Sequence, residues 1–255
     1  MAKKIRLDEL VLARGFASSR SEAKALIMTG KVRLGTERLD KAGVKVAEDL
    51  AIEVEEGPRF VGRGAEKLLG YIDAYGLVFE GMNVLDVGAC TGGFTDCALQ
   101  HGAVSATCVD VGKGQLHSKL QNDPRVSNFE KTNARHLKVG DLPLERYERV
   151  VMDLSFISLK TVLPAVWPFL AEGGVLMALV KPQFEVGKAI ADKYRGVIKD
   201  EKEREKALEA VRQFALENLD GVRQHGLQVS PIKGGDGNVE FLLGLEKVAS
   251  EGNEA

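Results

Sequence analysis

A doubly wound α/β sheet, mostly parallel with a C-terminal antiparallel hairpin and preceded by a small basic α+β domain, is what this sequence predicts. Three observations carry that reading. From Val84 onward, apolar β-branched runs alternate with stretches of helical spacing, the pattern of strand–helix–strand units in a buried parallel sheet. The first such run, VLDVGACTGGF over residues 84–94, opens into a glycine turn with a helix expected from Thr95. Residues 1 to about 47 hold eleven Lys or Arg against five Asp or Glu, a local charge of +6 in a 255-residue chain of net charge -2.

Leu7, Leu10 and Val11 have helical spacing, stopped by Gly15. Ser19 stands three positions before Glu22, a capping box that opens a second helix to Thr29, with Gly30 just past its end. On it Arg20 and Lys24 share one face, while Ala23, Leu26 and Ile27 turn inward. Short strands are expected at 32–34, 44–46 and 52–54, and Glu55-Glu56-Gly57-Pro58 reads as a linker. Ala65, Leu68, Leu69 and Ile72 begin an amphipathic helix. The sheet strands are expected at 84–87, 106–109, 126–130, 149–152 and 175–180. Residues 199–219 form a helix whose apolar stripe is Ala207, Leu208, Val211, Ala215 and Leu219. Strands at 226–232 and 239–245 flank the turn KGGDGN as a hairpin at the end of the sheet.

Apolar residues at 44% and charged residues at 28% leave room for a real core. Three cysteines, Cys90, Cys97 and Cys108, do not make a disulfide framework, which points to a reduced, cytoplasmic chain. No apolar stretch is long enough to span a bilayer. His101, His117, His136 and His225 lack metal-ligand spacing and no C-x-x-C occurs, so no metal is expected.

The glycine turn narrows the cofactor. Its order is G-x-x-x-G-G (Gly88, Gly92, Gly93), not the G-x-G-x-x-G of a dinucleotide site, and an acid, Asp86, lies in the strand end. A carboxylate there would repel a pyrophosphate but suits a cationic amine. S-adenosylmethionine (SAM) carries such an amine and a sulfonium, and no phosphate; a plain glycine turn at a strand end would leave the same trace. Asp110 closes the second strand, 22 positions past Gly88, where an acid accepts hydrogen bonds from a ribose. Thr132-Asn133-Ala134 follows the third strand and could meet an adenine edge.

Two apolar strands end in charges of opposite sign, Asp153 and Lys181, at the same edge of the sheet. Glu240 interrupts the last apolar strand and Lys67 stands just upstream of the cofactor strand. Buried charges are costly unless paired, so two lysines and two carboxylates converging on one crevice form a site whose acidity can be tuned; an ordinary ion pair at a sheet rim is the bland alternative. Phe156 and Phe184, beside the two strand ends, suit either base stacking or core packing.

RLDELVLARGFASSRSEAKALIMTGKVRLG resembles an S4 RNA-binding domain. That resemblance implies a basic face set against structured RNA through Arg14, Arg20, Lys24, Lys31 and Arg33. DVGACTGGFTD, VDVGKGQL, VMDLSFIS, LVKPQFE and GNVEF resemble the TlyA-type branch of the FtsJ/RrmJ-like RNA ribose 2′-O-methyltransferases, some of which are described as haemolysins. Together the two matches cover residues 5 to about 246. They imply an S4-like domain at 1–56, a linker at 57–63 and a Rossmann-like methyltransferase domain at 64–255. SAM would be held by Asp86, Gly88, Ala89, Cys90, Thr91, Gly92, Gly93, Phe94, Asp110, Asn133 and Asp153. Cys90 is a departure, since relatives carry a small polar residue there. The family's catalytic tetrad falls on Lys67, Asp153, Lys181 and Glu240. The implied substrate is a cytidine of ribosomal RNA, free or in a subunit, with neither DNA nor a membrane as partner.

The chemistry fits those residues. A ribose 2′-hydroxyl is a poor nucleophile until deprotonated, and a lysine that sheds its proton can take that of the hydroxyl, for a gain of roughly 10²–10⁴. Burial and a nearby sulfonium favour that loss and a carboxylate partner opposes it, so the residues alone leave the balance open. Asp153 would orient Lys181, with Glu240 and Lys67 placing the ribose. Two rival readings are a membrane-damaging haemolysin, which lacks an inserting helix, and a non-catalytic RNA-binding assembly factor, against which the intact tetrad argues. A small-molecule methyltransferase would leave the basic N-terminal domain without a purpose.

Overall fold

The computed structural model describes residues 3–55 and 59–248, which fall into two compact units divided between Arg59 and Phe60. Residues 56–58, which take in most of the Glu55–Pro58 stretch and the first two positions of the linker expected at 57–63, lie outside the described residues.

The first unit runs β1 (Lys4–Arg6), α1 (Leu7–Ala13), α2 (Arg20–Met28), β2 (Val32–Leu34), β3 (Glu37–Arg38), β4 (Lys45–Ala47) and β5 (Glu53–Val54). Leu7, Leu10, Val11, Ala23, Ile27 and Val32 close its core. The short strands form two sheets: β1 pairs with β4, and β2 lies between β3 and β5. Ser19 caps α2, accepting from the Glu22 amide at 3.2 Å. The reciprocal bond of the expected capping box goes elsewhere. The Glu22 carboxylate accepts from the Ser18 amide and hydroxyl, at 2.8 and 2.6 Å, because Ser18 offers two donors where the Ser19 backbone offers one.

The second unit begins with α3 (Gly64–Tyr75) and β6 (Asn83–Val87), α4 (Gly93–Gln100) and β7 (Ser105–Val109), α5 (Ser118–Gln121) and β8 (Val126–Phe129). Then come β9 (Tyr147–Met152), α6 (Leu159–Val166), β10 (Leu170–Val180), α7 (Pro182–Glu185), α8 (Lys188–Lys193), α9 (Glu201–Asn218), β11 (Val222–Val229) and β12 (Phe241–Lys247). One seven-stranded sheet holds them in the order β11-β12-β10-β9-β6-β7-β8. Pairing is parallel from β8 through to β10, and β12 runs antiparallel to both its neighbours. The hairpin therefore does not simply extend the sheet: its second strand inserts between β10 and β11. β10 is longer than expected because Gly173-Gly174 absorbs a register shift between Leu170 and Val175.

Alternation along the strands assigns the two faces. Leu85, Val87, Val150, Met152, Leu176 and Ala178 point to a core shared with α6 and α9. Val84, Ala106, Cys108, Val151, Met177 and Leu179 point to one shared with α3 and α4. Strand order reverses beside β6, whose neighbours are β7 and β9, and a crevice opens at the carboxyl ends where it does so.

Candidate active site

At the end of β6 the chain turns through Gly88, whose φ is +85°. A Cβ there would lie 2.5 Å from the Asp153 carbonyl oxygen, so glycine is required both by conformation and by the approach of β9. Gly92, at φ +89°, starts α4 and backs onto Leu120 and Leu116. The turn borders a cavity of about 300 Å³, into which Asp86, Ala89, Cys90, Thr91, Gly93 and Phe94 project together with Asp153 and Lys181. A second cavity of about 460 Å³ shares Gly88, Cys90 and Asp153 and continues to Asp110 and Asn133.

Asp86 shares its strand face with Val84, opposite to Leu85 and Val87, and so faces the α3/α4 core, 1% exposed. Its Oδ2 accepts from the Thr95 hydroxyl at 2.6 Å and the Thr95 amide at 3.1 Å, while Oδ1 has no partner. Burial pushes its carboxyl up to about 7, with the nearby Asp153 charge adding to the rise and the Thr95 bonds opposing it. A folded carboxyl that holds its proton to higher pH than the unfolded one costs stability as pH rises from about 4 to about 7. A cation meeting Oδ1 would remove that cost.

Asp110 spends Oδ2 on the Cys90 amide (2.8 Å) and Oδ1 on the Gly112 amide (2.7 Å). It thereby ties the glycine turn to the end of β7 and keeps lone pairs for a ribose. Asn133 accepts from the Arg135 amide at 3.1 Å, which leaves its amide nitrogen for a ligand.

The four charges that the chain scatters over 174 positions meet here. Lys181 Nζ lies 2.7 Å from Asp153 Oδ1, and Lys67 Nζ lies 3.7 Å from Asp153 Oδ2 and 2.7 Å from Glu240 Oε2. Glu240 does not interrupt the last strand; it stands immediately before β12, only 2% exposed, and turns toward α3. Ser155, which the sequence reading passed over, accepts from Lys181 Nζ at 2.9 Å. Two of the three N–H directions of Lys181 are thus taken, and one remains for a substrate. Only the VMDLS stretch that ends β9 hinted at Ser155.

Loop strain marks the same edge. Among the described residues, the non-glycine positions with positive φ are Cys90, Lys131, Phe156 and Arg195, all in connections leaving the carboxyl ends of parallel strands. Such residues cost about 1–3 kcal/mol each and gather at functional sites. Phe156 is 91% exposed and leans on Phe184 with ring centroids 5.1 Å apart, so it is not core packing.

In the N-terminal unit the basic residues divide. Arg20 pairs with the fully buried Asp8 (3.1 Å) and with Glu9 (3.0 Å), Arg33 pairs with Glu55 (3.1 Å), and Arg14 donates to the Glu48 carbonyl at 3.3 Å. Arg6, hydrogen-bonded to Asp8, holds that carboxyl well below the usual range. Among the described residues Lys24 and Lys31 enter no ion pair.

Two family models match the chain: FtsJ-like methyltransferase over residues 60–247 and S4 domain over residues 5–52. The 16S/23S rRNA (cytidine-2′-O)-methyltransferase TlyA of Mycobacterium tuberculosis is 42% identical over 247 residues, 96% of this chain and 91% of that protein. Hemolysin A of Brachyspira hyodysenteriae is 36% identical over 238 residues, 93% of this chain and 98% of that protein. A solved structure of a Streptococcus thermophilus protein named as a hemolysin superposes with a TM-score of 0.72 at 40% identity, covering all of this chain and 92% of that one. No helix among the described residues is long and apolar enough to cross a membrane. The chain belongs to the FtsJ-like methyltransferases, in the group that carries an S4 domain at the N-terminus and includes TlyA.

Proposed function

We propose that this chain transfers a methyl group from SAM to the ribose 2′-hydroxyl of a cytidine in ribosomal RNA. The N-terminal domain, to about residue 56, docks the RNA, and the domain from about residue 64 carries the chemistry. One observation supports this above the rest: the Lys67–Asp153–Lys181–Glu240 chain borders the cavity of the glycine turn, so proton acceptor and cofactor would face the same hydroxyl. Mapping 2′-O-methyl marks on rRNA from cells with and without the protein tests it. A mark that disappears on deletion and returns with the purified enzyme and SAM is expected; identical maps would refute the reading.

Fit to SAM rests on the orphaned Asp86 Oδ1, a buried acceptor that suits the amine of the ligand, and on a glycine cradle that a Cβ would fill. Asp110 and Asn133 would take the ribose and base of its adenosine. When bound, SAM supplies an electrophilic methyl on a sulfonium. Lys181, unprotonated, takes the proton of the 2′-hydroxyl through its remaining direction; Asp153 and Ser155 fix its amine, and Lys67 and Glu240 hold Asp153 and the sugar. Phe156 and Phe184 stack on the target base.

A pH dependence follows from Asp86. The carboxyl is largely protonated at pH 6, so pairing with the SAM ammonium requires it to ionise. SAM affinity should rise about fivefold from pH 6 to pH 7, below the range where an α-amine itself titrates, with close to one proton released per SAM at pH 6. Calorimetric titration in buffers of different ionisation heat measures both. Affinity independent of pH with no proton release would place the amine elsewhere.

The paired and unpaired basic residues also separate. Lys24→Ala and Lys31→Ala should each lower the salt slope of rRNA binding by about 1 and leave melting unchanged. Arg20→Ala removes a partner of buried Asp8, so it should lower the melting temperature of the N-terminal domain as well as RNA affinity.

A further inference from the structure

We propose that Gln183 reads the target base, and that it sits in the subsite distinguishing cytosine from uracil; the proposal rests on the RNA-methylation reading above. A cavity of about 420 Å³ shares Phe156 with the Asp110 cavity. Phe156 and Phe184 wall it, and Gln183, Asp192, Arg195 and Asp236 supply its polar lining. Gln183 is two positions past Lys181, so their Cα atoms are less than about 8 Å apart. Lys181 Nζ is 6.0 Å from the centre of the Phe184 ring. A nucleotide with its 2′-hydroxyl at Lys181 therefore has this aromatic-walled space within reach of its base.

The polar lining selects the kind of occupant. Two carboxylates against one guanidinium make a poor phosphate site. They make a good one for an exocyclic amine. Gln183 Oε1 is closed off from solvent and has no hydrogen-bond partner, a deficit that an incoming donor would repair. Arg195 sits in the left-handed region at φ +50°, and the buried Asn238 holds its neighbour by donating to the Gly196 carbonyl at 2.8 Å. Cytosine presents an amine donor at N4 beside acceptors at N3 and O2. Gln183 Oε1 takes the amine and the Arg195 fork takes the acceptors. Uracil would set its O4 against Gln183 Oε1 and its N3–H against the Arg195 fork, and turning the amide over to meet O4 would still leave two donors face to face.

The experiment measures initial rates of methyl transfer from SAM to ribosomal subunits of a strain lacking the protein, and to the same subunits with the mapped target cytidine changed to uridine. Wild-type enzyme should favour cytidine by at least about tenfold. Gln183→Leu should slow the cytidine reaction about tenfold, leave uridine within about threefold, and so erase the preference. The near-isosteric Gln183→Glu, which keeps an acceptor for N4, should retain it. Calorimetric SAM binding within a few fold of wild type shows that each variant is folded. Equal slowing on both substrates, or an unchanged ratio in Gln183→Leu, would overturn the role of Gln183 while leaving methylation standing. A wild-type enzyme that methylates neither subunit would sink both readings.

Discussion

Lys181→Ala keeps SAM affinity within a few fold of wild type and loses roughly 10²–10⁴ in methyl transfer to ribosomal subunits. The split follows from where the amine sits. Lys181 lines the cofactor cavity but spends its bonds on Asp153 and Ser155, whereas the amine of the cofactor is assigned to Asp86 on another strand. Lys181→Arg sharpens the test. It restores a cation beside Asp153, yet a guanidinium stays protonated and cannot accept the hydroxyl proton. Activity recovered by arginine would mean that the residue acts by charge alone, and full activity in the alanine variant would remove it from the chemistry. Calorimetry and tritiated-methyl incorporation read the two halves separately.

What the sequence made legible were the places where a short-range rule and the fold agree. An ionisable residue that ends an apolar strand can only be at a sheet edge, so Asp153 and Lys181 could be set side by side from their runs alone. Asp86 was readable for the same reason, and the φ of +85° at Gly88 is what a glycine turn at a strand end demands. Contacts fixed by loop shape were not readable. Ser155 reaches Lys181 because the chain after β9 turns through a left-handed Phe156, which no spacing announces. Arg20 and Arg33 looked free because their acidic partners lie 12 and 22 positions away, beyond any helical pairing rule. The hairpin signal gave the adjacency of β11 and β12 but not the insertion of β12 beside β10, a choice made by burial on both faces of a seven-stranded sheet.

Lys67→Met should be the most destabilising single change in the site. It leaves Glu240, 2% exposed and paired at 2.7 Å, as a buried carboxylate without its cation. Breaking such a pair from one side costs about 3–5 kcal/mol. In a unit of this size each kcal/mol moves melting by about 2–4 °C, so a fall of roughly 6–20 °C is expected by calorimetry. Removing both charges in Lys67→Met/Glu240→Leu takes away the unpaired carboxylate, and most of the lost stability should return. Methyl transfer should not return, since Asp153 then lacks its second cation and the sugar its anchor; a loss of about 10² or more from misplacement should persist in the double variant. The comparison separates what the pair does for the fold from what it does for the reaction. If the single variant melts with the wild type, the pair is not shielded from water as the geometry has it. If the double variant transfers methyl at the wild-type rate, Lys67 and Glu240 serve only the fold, and the proton path reduces to Asp153, Ser155 and Lys181.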